Sequence, residues 1–144
     1  MKIKFLFLIA FLGFHLNVNS EILNNSEITW HGWTDKTLTQ AKAINRLVLI
    51  SLTAEWCQFC KKMDAVTYQD KAVIDELNKH YLTIKADEAK YPDIAKRYAK
   101  IGRPGTIILD HKGNILLAKT GYLKPQWMLW TLQAVKEESN NKNG

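Results

Sequence analysis

The sequence predicts an α/β domain, a central mixed β-sheet with helices on both faces. Three observations carry this. Strand-like and helix-like periods alternate from Glu27 to Glu138. The run Leu-Val-Leu-Ile-Ser-Leu-Thr at 47–53 is nearly continuously apolar and rich in β-branched residues, the pattern of a strand buried on both faces. Late in the chain, His111-Lys112-Gly113-Asn114 joins two short strand patterns as a hairpin, which makes the sheet mixed. A chain of 144 residues suits one domain and buries enough apolar surface to fold without a disulfide staple or a structural metal.

The elements follow in order. Residues 27–33 read as a short strand flanked by Trp30 and Trp33, one expected in the core and one at an edge. Residues 35–45 carry Leu38, Ala41 and Ile44 at three-residue spacing, a helix with one apolar stripe. After the central strand, 57–66 and 71–80 are helical, the second with Val73, Ile74 and Leu77 on one face. Residues 81–86 form a strand, and Asp87 at its end serves a turn. Residues 91–100 are helical, with Pro92 tolerated in the first turn. Strands at 106–110 and 115–119 flank the hairpin, and 125–138 is a closing helix whose Trp127 and Trp130 are expected to face the sheet. The polar tail 139–144 is expected to be disordered.

Residues 1–20 differ from the rest. Lys2 and Lys4 precede an apolar run at 5–14, and Val18 and Ser20 occupy −3 and −1 of a cut before Glu21. This is the layout of a secretory signal peptide, leaving a domain at 21–138. The run is shorter than the roughly 20 residues that span a bilayer, so an uncleaved anchor is the alternative. No cysteine follows it, which excludes a lipoprotein signal. Removing the segment takes away two lysines and lowers the formal net charge from +6 to +4. The charges are scattered with no run of five like signs, a solubility pattern rather than a nucleic-acid footprint. No glycine-rich phosphate loop is present, and nothing implies a cofactor. Nothing resembles a dimerisation domain either, so a monomer is expected.

The two cysteines, Cys57 and Cys60, are spaced C-x-x-C. So short a loop removes little entropy from the unfolded chain, which argues against a structural staple. Zinc would need two more ligands, and downstream only His80 and His111 remain, without ligand spacing. The remaining reading is reversible thiol chemistry. A buried strand ends at Thr53, and after Ala54-Glu55-Trp56 the helix begins at Cys57. Unpaired backbone N–H groups and the macrodipole favour a thiolate there, below the free value of about 8.5. Cys60 lies one turn on, within disulfide reach. Cys57 is thus the candidate nucleophile and Cys60 the resolving thiol. Lys61 and Lys62 add positive potential or are simply solvated.

The stretch Ala54-Glu55-Trp56-Cys57-Gln58-Phe59-Cys60-Lys61 resembles the active site of the thioredoxin superfamily, and the resemblance extends over about residues 28–135. Within it the chain is most similar to periplasmic thioredoxin-like reductases, akin to the C-terminal domain of the transmembrane thiol-disulfide interchange protein. Residues 30–49 and 63–70 and the pair Gly121-Tyr122 support this. The resemblance implies a thioredoxin-like fold, a cis-proline at Pro104, disulfide-bearing exported proteins as substrates and a membrane thiol reductase as electron donor. It places Trp56, Arg103 and Pro104 in substrate contact. Phe59, in the spacer, is either an exposed apolar contact for partners or a cap on the core at the helix start.

The sequence departs from the superfamily pattern in three places. Ser51 and Thr83 stand where thioredoxins carry a buried acid and its lysine partner, so a proton must travel through water or through Glu55, if that side chain turns inward. Gly105 follows the proline where thioredoxin has threonine. The Gln58-Phe59 spacer lacks the histidine that stabilises the thiolate of the strong periplasmic oxidant, which favours reduction or isomerisation, whereas the charge of Arg103 pushes toward the thiolate and hence toward oxidation. A net oxidase and a redox-inactive binding module or holdase are the alternatives.

Overall fold

The computed structural model describes residues 26–143. The signal-peptide reading of residues 1–20 lies outside them. Helix α1 (Thr37–Ala43) leads into β1 (Leu47–Thr53), α2 (Gln58–Ala65), a 3-10 turn (Thr67–Gln69), α3 (Lys71–His80) and β2 (Tyr81–Asp87). Then come α4 (Pro92–Arg97), β3 (Gly105–Leu109), β4 (Ile115–Thr120) and α5 (Pro125–Asn143). The sheet order is β2-β1-β3-β4, with β1 parallel to β2 and the other two pairs antiparallel.

Strand alternation divides the core in two. Leu47, Leu49, Tyr81 and Ile108 face a cluster completed by Met63 of α2, Val73, Ile74 and Leu77 of α3, and Met128, Leu132 and Val135 of α5. Val48, Ile50, Leu52, Ile84, Ile107 and Leu109 face the other side, covered by Ala41 of α1 and by Ile94 and Tyr98 at α4. β1 is buried along both faces, as its apolar run predicts, while β4 is a largely exposed edge carrying Lys119.

Four expectations are corrected. Residues 27–33 form only a single bridge, His31 to Ile84, and not a strand. Side chains take over the backbone groups that a ladder would use. Asn78 Nδ2 donates to the Glu27 carbonyl (2.8 Å) and Thr83 Oγ1 donates to the Thr29 carbonyl (2.7 Å). Trp30 and Trp33 are both half-buried, on opposite faces of the sheet. Trp127 and Trp130 do not face the sheet. They are 57% and 53% exposed and stack edge-on at 5.2 Å. The inward stripe runs instead through Met128, Leu132, Val135 and Ser139, spaced at helical intervals on the opposite side. Finally, the tail is helical as far as Asn143, because Ser139 continues that stripe into the core and Lys142 pairs with Glu138 at 2.6 Å.

Helix boundaries moved for local reasons. α1 stops at Ala43 because Asn45 adopts a left-handed φ of 51°, with the Asn45 and Arg46 amides donating to the Lys42 and Ala41 carbonyls. This is a Schellman ending. At the start of α3, Asp70 Oδ1 accepts from the Ala72 and Val73 amides.

The far end of α3 yields a pH prediction. Burial lowers the pKa of His80 from its ordinary 6.5; Glu76 opposes this, and Lys136, Lys79 and Arg46 reinforce it. The folded state therefore binds fewer protons at this site than the unfolded state once the pH falls below about 6.5. The stabilising contribution is present above that pH and is lost as the pH falls toward the folded value. The urea midpoint of the wild type should drop more between pH 7 and pH 5.5 than that of His80→Asn. Equal drops would refute the assignment.

Candidate active site

β1 delivers the chain to the turn Ala54-Glu55-Trp56, where the Cys57 amide donates to the Ala54 carbonyl at 3.1 Å. Cys57 is the N-cap of α2, with extended backbone (φ −85°, ψ 102°), and its Sγ accepts from the Cys60 amide at 3.1 Å. Sulfur thus occupies the place where a cap oxygen satisfies a free N–H. Cys57 and Cys60 are joined in a disulfide with their Cα atoms 5.2 Å apart, and both are buried. They pack with Ala54 in a small cluster.

The rim is aromatic. Trp56 is 66% and Phe59 58% exposed, which shows that Phe59 does not cap the core. Phe59 lies 6.3 Å from the Tyr122 ring, and Lys62 sits over the other part of that contact, 4.9 Å from the Tyr122 centroid. Glu55 is exposed, the solvated arrangement. Pro104 is buried, and the Arg103–Pro104 peptide is cis. The Arg103 side chain turns inward. It is 9% exposed, its Nη1 donates to the Ile101 carbonyl at 2.8 Å, and its Nε lies 3.4 Å from Glu88 Oε2. The same carboxylate accepts from Trp56 Nε1 through Oε1 at 2.7 Å.

Ser51 of β1 and Thr83 of β2 are buried and neutral. The Tyr68 hydroxyl is close to the Ser51 and Thr106 hydroxyls without a hydrogen bond of ordinary geometry. Burial holds its pKa well above the usual tyrosine value, so it stays protonated. Lys85, the register partner of Ser51, pairs with Asp64 of α2 at 2.5 Å and lies 4.9 Å over the Trp30 ring. Polar hydroxyls therefore fill the place that a buried carboxylate takes in thioredoxins. Among the described residues no group of three or more His, Cys, Asp or Glu side chains converges as a metal site.

Sequence reasoning missed Glu88 and the Lys85–Asp64 pair. A signal for Glu88 existed. Thr53 and Asp87 are partners in the parallel β1/β2 ladder, which sets Glu88 level with Ala54. Pairing the two strands in register would have found it.

The family model Thioredox_DsbH, described as "Protein of unknown function, DUF255", matches residues 19–129. The chain belongs to this family. It is similar to the thiol:disulfide interchange protein DsbD of Ralstonia nicotianae, 31% identical over 83 residues, which is 56% of this chain and 14% of that protein. The chain spans about a tenth to a sixth of the length of the curated relatives it matches. A solved DsbH oxidoreductase superposes with a TM-score of 0.67 at 15% identity, covering 77% of this chain and 85% of that one. The reduced C-terminal domain of Neisseria meningitidis DsbD superposes with a TM-score of 0.57 at 20% identity, covering 68% and 89%. The fold of this Thioredox_DsbH member is thioredoxin-like. With the Cys57–Cys60 disulfide at the start of α2, it is an oxidoreductase-like member of that fold.

Proposed function

We propose that the chain is a thiol–disulfide oxidoreductase that works in the reducing direction on disulfides of exported proteins. The observation that carries this is the cap geometry, with Cys57 Sγ at a helix N-terminus receiving the Cys60 amide and Cys60 already within bonding distance. In the reduced protein the same N–H groups stabilise a Cys57 thiolate. That thiolate attacks one sulfur of a substrate disulfide, forms a mixed disulfide and expels the other substrate sulfur as a thiolate, which takes up a proton. Cys60 loses its proton to water and attacks Cys57 Sγ, releasing the second substrate thiolate. The second substrate thiolate is also protonated, so the substrate gains two electrons from the pair and two protons, one balancing that lost by Cys60 and one drawn from solvent, and the Cys57–Cys60 disulfide is left. A membrane thiol reductase then returns the pair to the dithiol form, in keeping with the likeness to DsbD.

Substrate contacts fall to the exposed rings of Trp56 and Phe59 and to the backbone at Arg103 and Pro104. The inward turn of the Arg103 guanidinium removes that side chain from the contact surface. The segment at 1–20 supports action outside the cytoplasm. The spacer Gln58-Phe59 brings no charge to the thiolate, which favours a reducing pair. Equilibration with a glutathione redox buffer tests the direction. A potential near that of thioredoxin, about −270 mV, is the expected result, and one near about −120 mV would make the protein an oxidase.

A further inference from the structure

Glu88 joins the active-site turn to the segment that leads into β3. One oxygen of its carboxylate accepts from the indole of Trp56, the residue before Cys57, and the other faces the guanidinium of Arg103, the residue before Pro104. Its position is built in. The Glu88 amide donates to the Thr53 carbonyl at 3.0 Å, and the Asp87 carboxylate secures the following turn by accepting from the Ala89 and Lys90 amides. The Arg103 side chain is nearly enclosed, and its Nε makes no hydrogen bond, so Glu88 reaches it through charge at 3.4 Å. A guanidinium does not shed its proton when enclosed. It needs a counter-charge, and truncating that partner leaves a cation exposed to whatever ionises nearby.

We propose that Glu88 is a positioning residue that sets the redox poise of the Cys57–Cys60 pair by offsetting the charge of Arg103 beside the active-site turn. The proposal deepens the reading of that pair as a thiol–disulfide oxidoreductase and rests on it. Only the reduced protein carries a Cys57 thiolate. A bare positive charge nearby stabilises that thiolate, and with it the reduced form, so the disulfide becomes more oxidising. Glu88 removes most of this influence and keeps the pair reducing. The opposing pulls of the spacer and of Arg103 are thereby resolved in favour of the spacer.

Glu88→Gln tests this without disturbing shape, since the amide oxygen still accepts from Trp56 while the negative charge is gone. The equilibrium constant with glutathione should shift toward the reduced protein by about three- to tenfold, or ~15–30 mV. The pH midpoint of thiolate absorbance at 240 nm should fall with it. Arg103→Gln should move both readings the other way, and the double variant should lie near the wild type. Glu138→Gln, which removes one negative charge from an exposed pair late in α5 and away from the site, should leave the equilibrium constant unchanged. A wild-type constant in Glu88→Gln, or the same shift in Glu138→Gln, would reduce Glu88 to a scaffold and overturn the proposal. The thiolate titration needs no turnover. It therefore decides on Glu88 separately from insulin reduction, whose absence in the wild type would refute the oxidoreductase reading instead.

Discussion

Cys57→Ser should bring insulin reduction down to the rate of dithiothreitol alone, while Cys60→Ser should retain the first attack and stall there. The two variants separate because the two sulfurs occupy different positions. Cys57 is the cap of α2, where helix N–H groups converge, and the Cys60 amide is directed at its sulfur. A serine hydroxyl in that place has no accessible anion and does not exchange with disulfides, so nothing forms on the substrate. Cys60 follows one turn later on the buried side of α2. Its loss removes only the step that breaks the mixed disulfide. Cys60→Ser should therefore accumulate substrates linked through Cys57, resolved by non-reducing gel electrophoresis and released by dithiothreitol. Trapping through Cys60 in Cys57→Ser, or insulin reduction in that variant at the wild-type rate, would refute the assignment. Wild-type protection of a client from aggregation without any disulfide exchange would point instead to a holdase.

Gly105→Thr, which puts the thioredoxin residue into this chain, should destabilise the protein by about 1–3 kcal/mol, the usual range for overpacking. A Cβ at Gly105 would lie 2.8 Å from the Gly102 carbonyl oxygen, 2.8 Å from Ile101 Cγ2 and 3.1 Å from Leu52 Cβ. The first of these is backbone and cannot rotate away. Gly105 is also held on both sides, paired with Leu52 of β1 and Thr120 of β4. The strain must then pass into the loop that carries Arg103 and Pro104, so kcat/KM for insulin should fall along with the urea midpoint. A midpoint and activity equal to the wild type would show that the loop yields freely. The departure from threonine at this position is thus explained by the close passage of the 101–102 backbone.

Much of this was legible in the residues. The run at 47–53, the hairpin at His111-Lys112-Gly113-Asn114 and the start of a helix at Cys57 are local patterns, written in apolar period, turn chemistry and capping. The active-site pair was equally plain, because its two members sit three residues apart. The strand at 27–33 was misread because its backbone partners, Asn78 and Thr83, are about fifty residues away, and no local signal distinguishes a ladder from side-chain anchoring. The faces of α5 are not legible from the sequence because its six large apolar residues spread round the helix. Which of them turned inward depended on packing against α3 and β2, where the Tyr81 hydroxyl donates to the Leu132 carbonyl at 2.6 Å.

By itself the sequence determined a mixed sheet with a dithiol at a helix start, since periodicity, capping and a three-residue spacing are properties of a few adjacent residues. Only the tertiary structure decided what surrounds the dithiol. It turned Arg103 inward, set Glu88 between it and Trp56, and filled the place of the missing acid with Ser51, Tyr68 and Thr106. Those contacts join residues far apart in the chain, and their energies depend on burial and charge geometry, which exist only once the strands are in register.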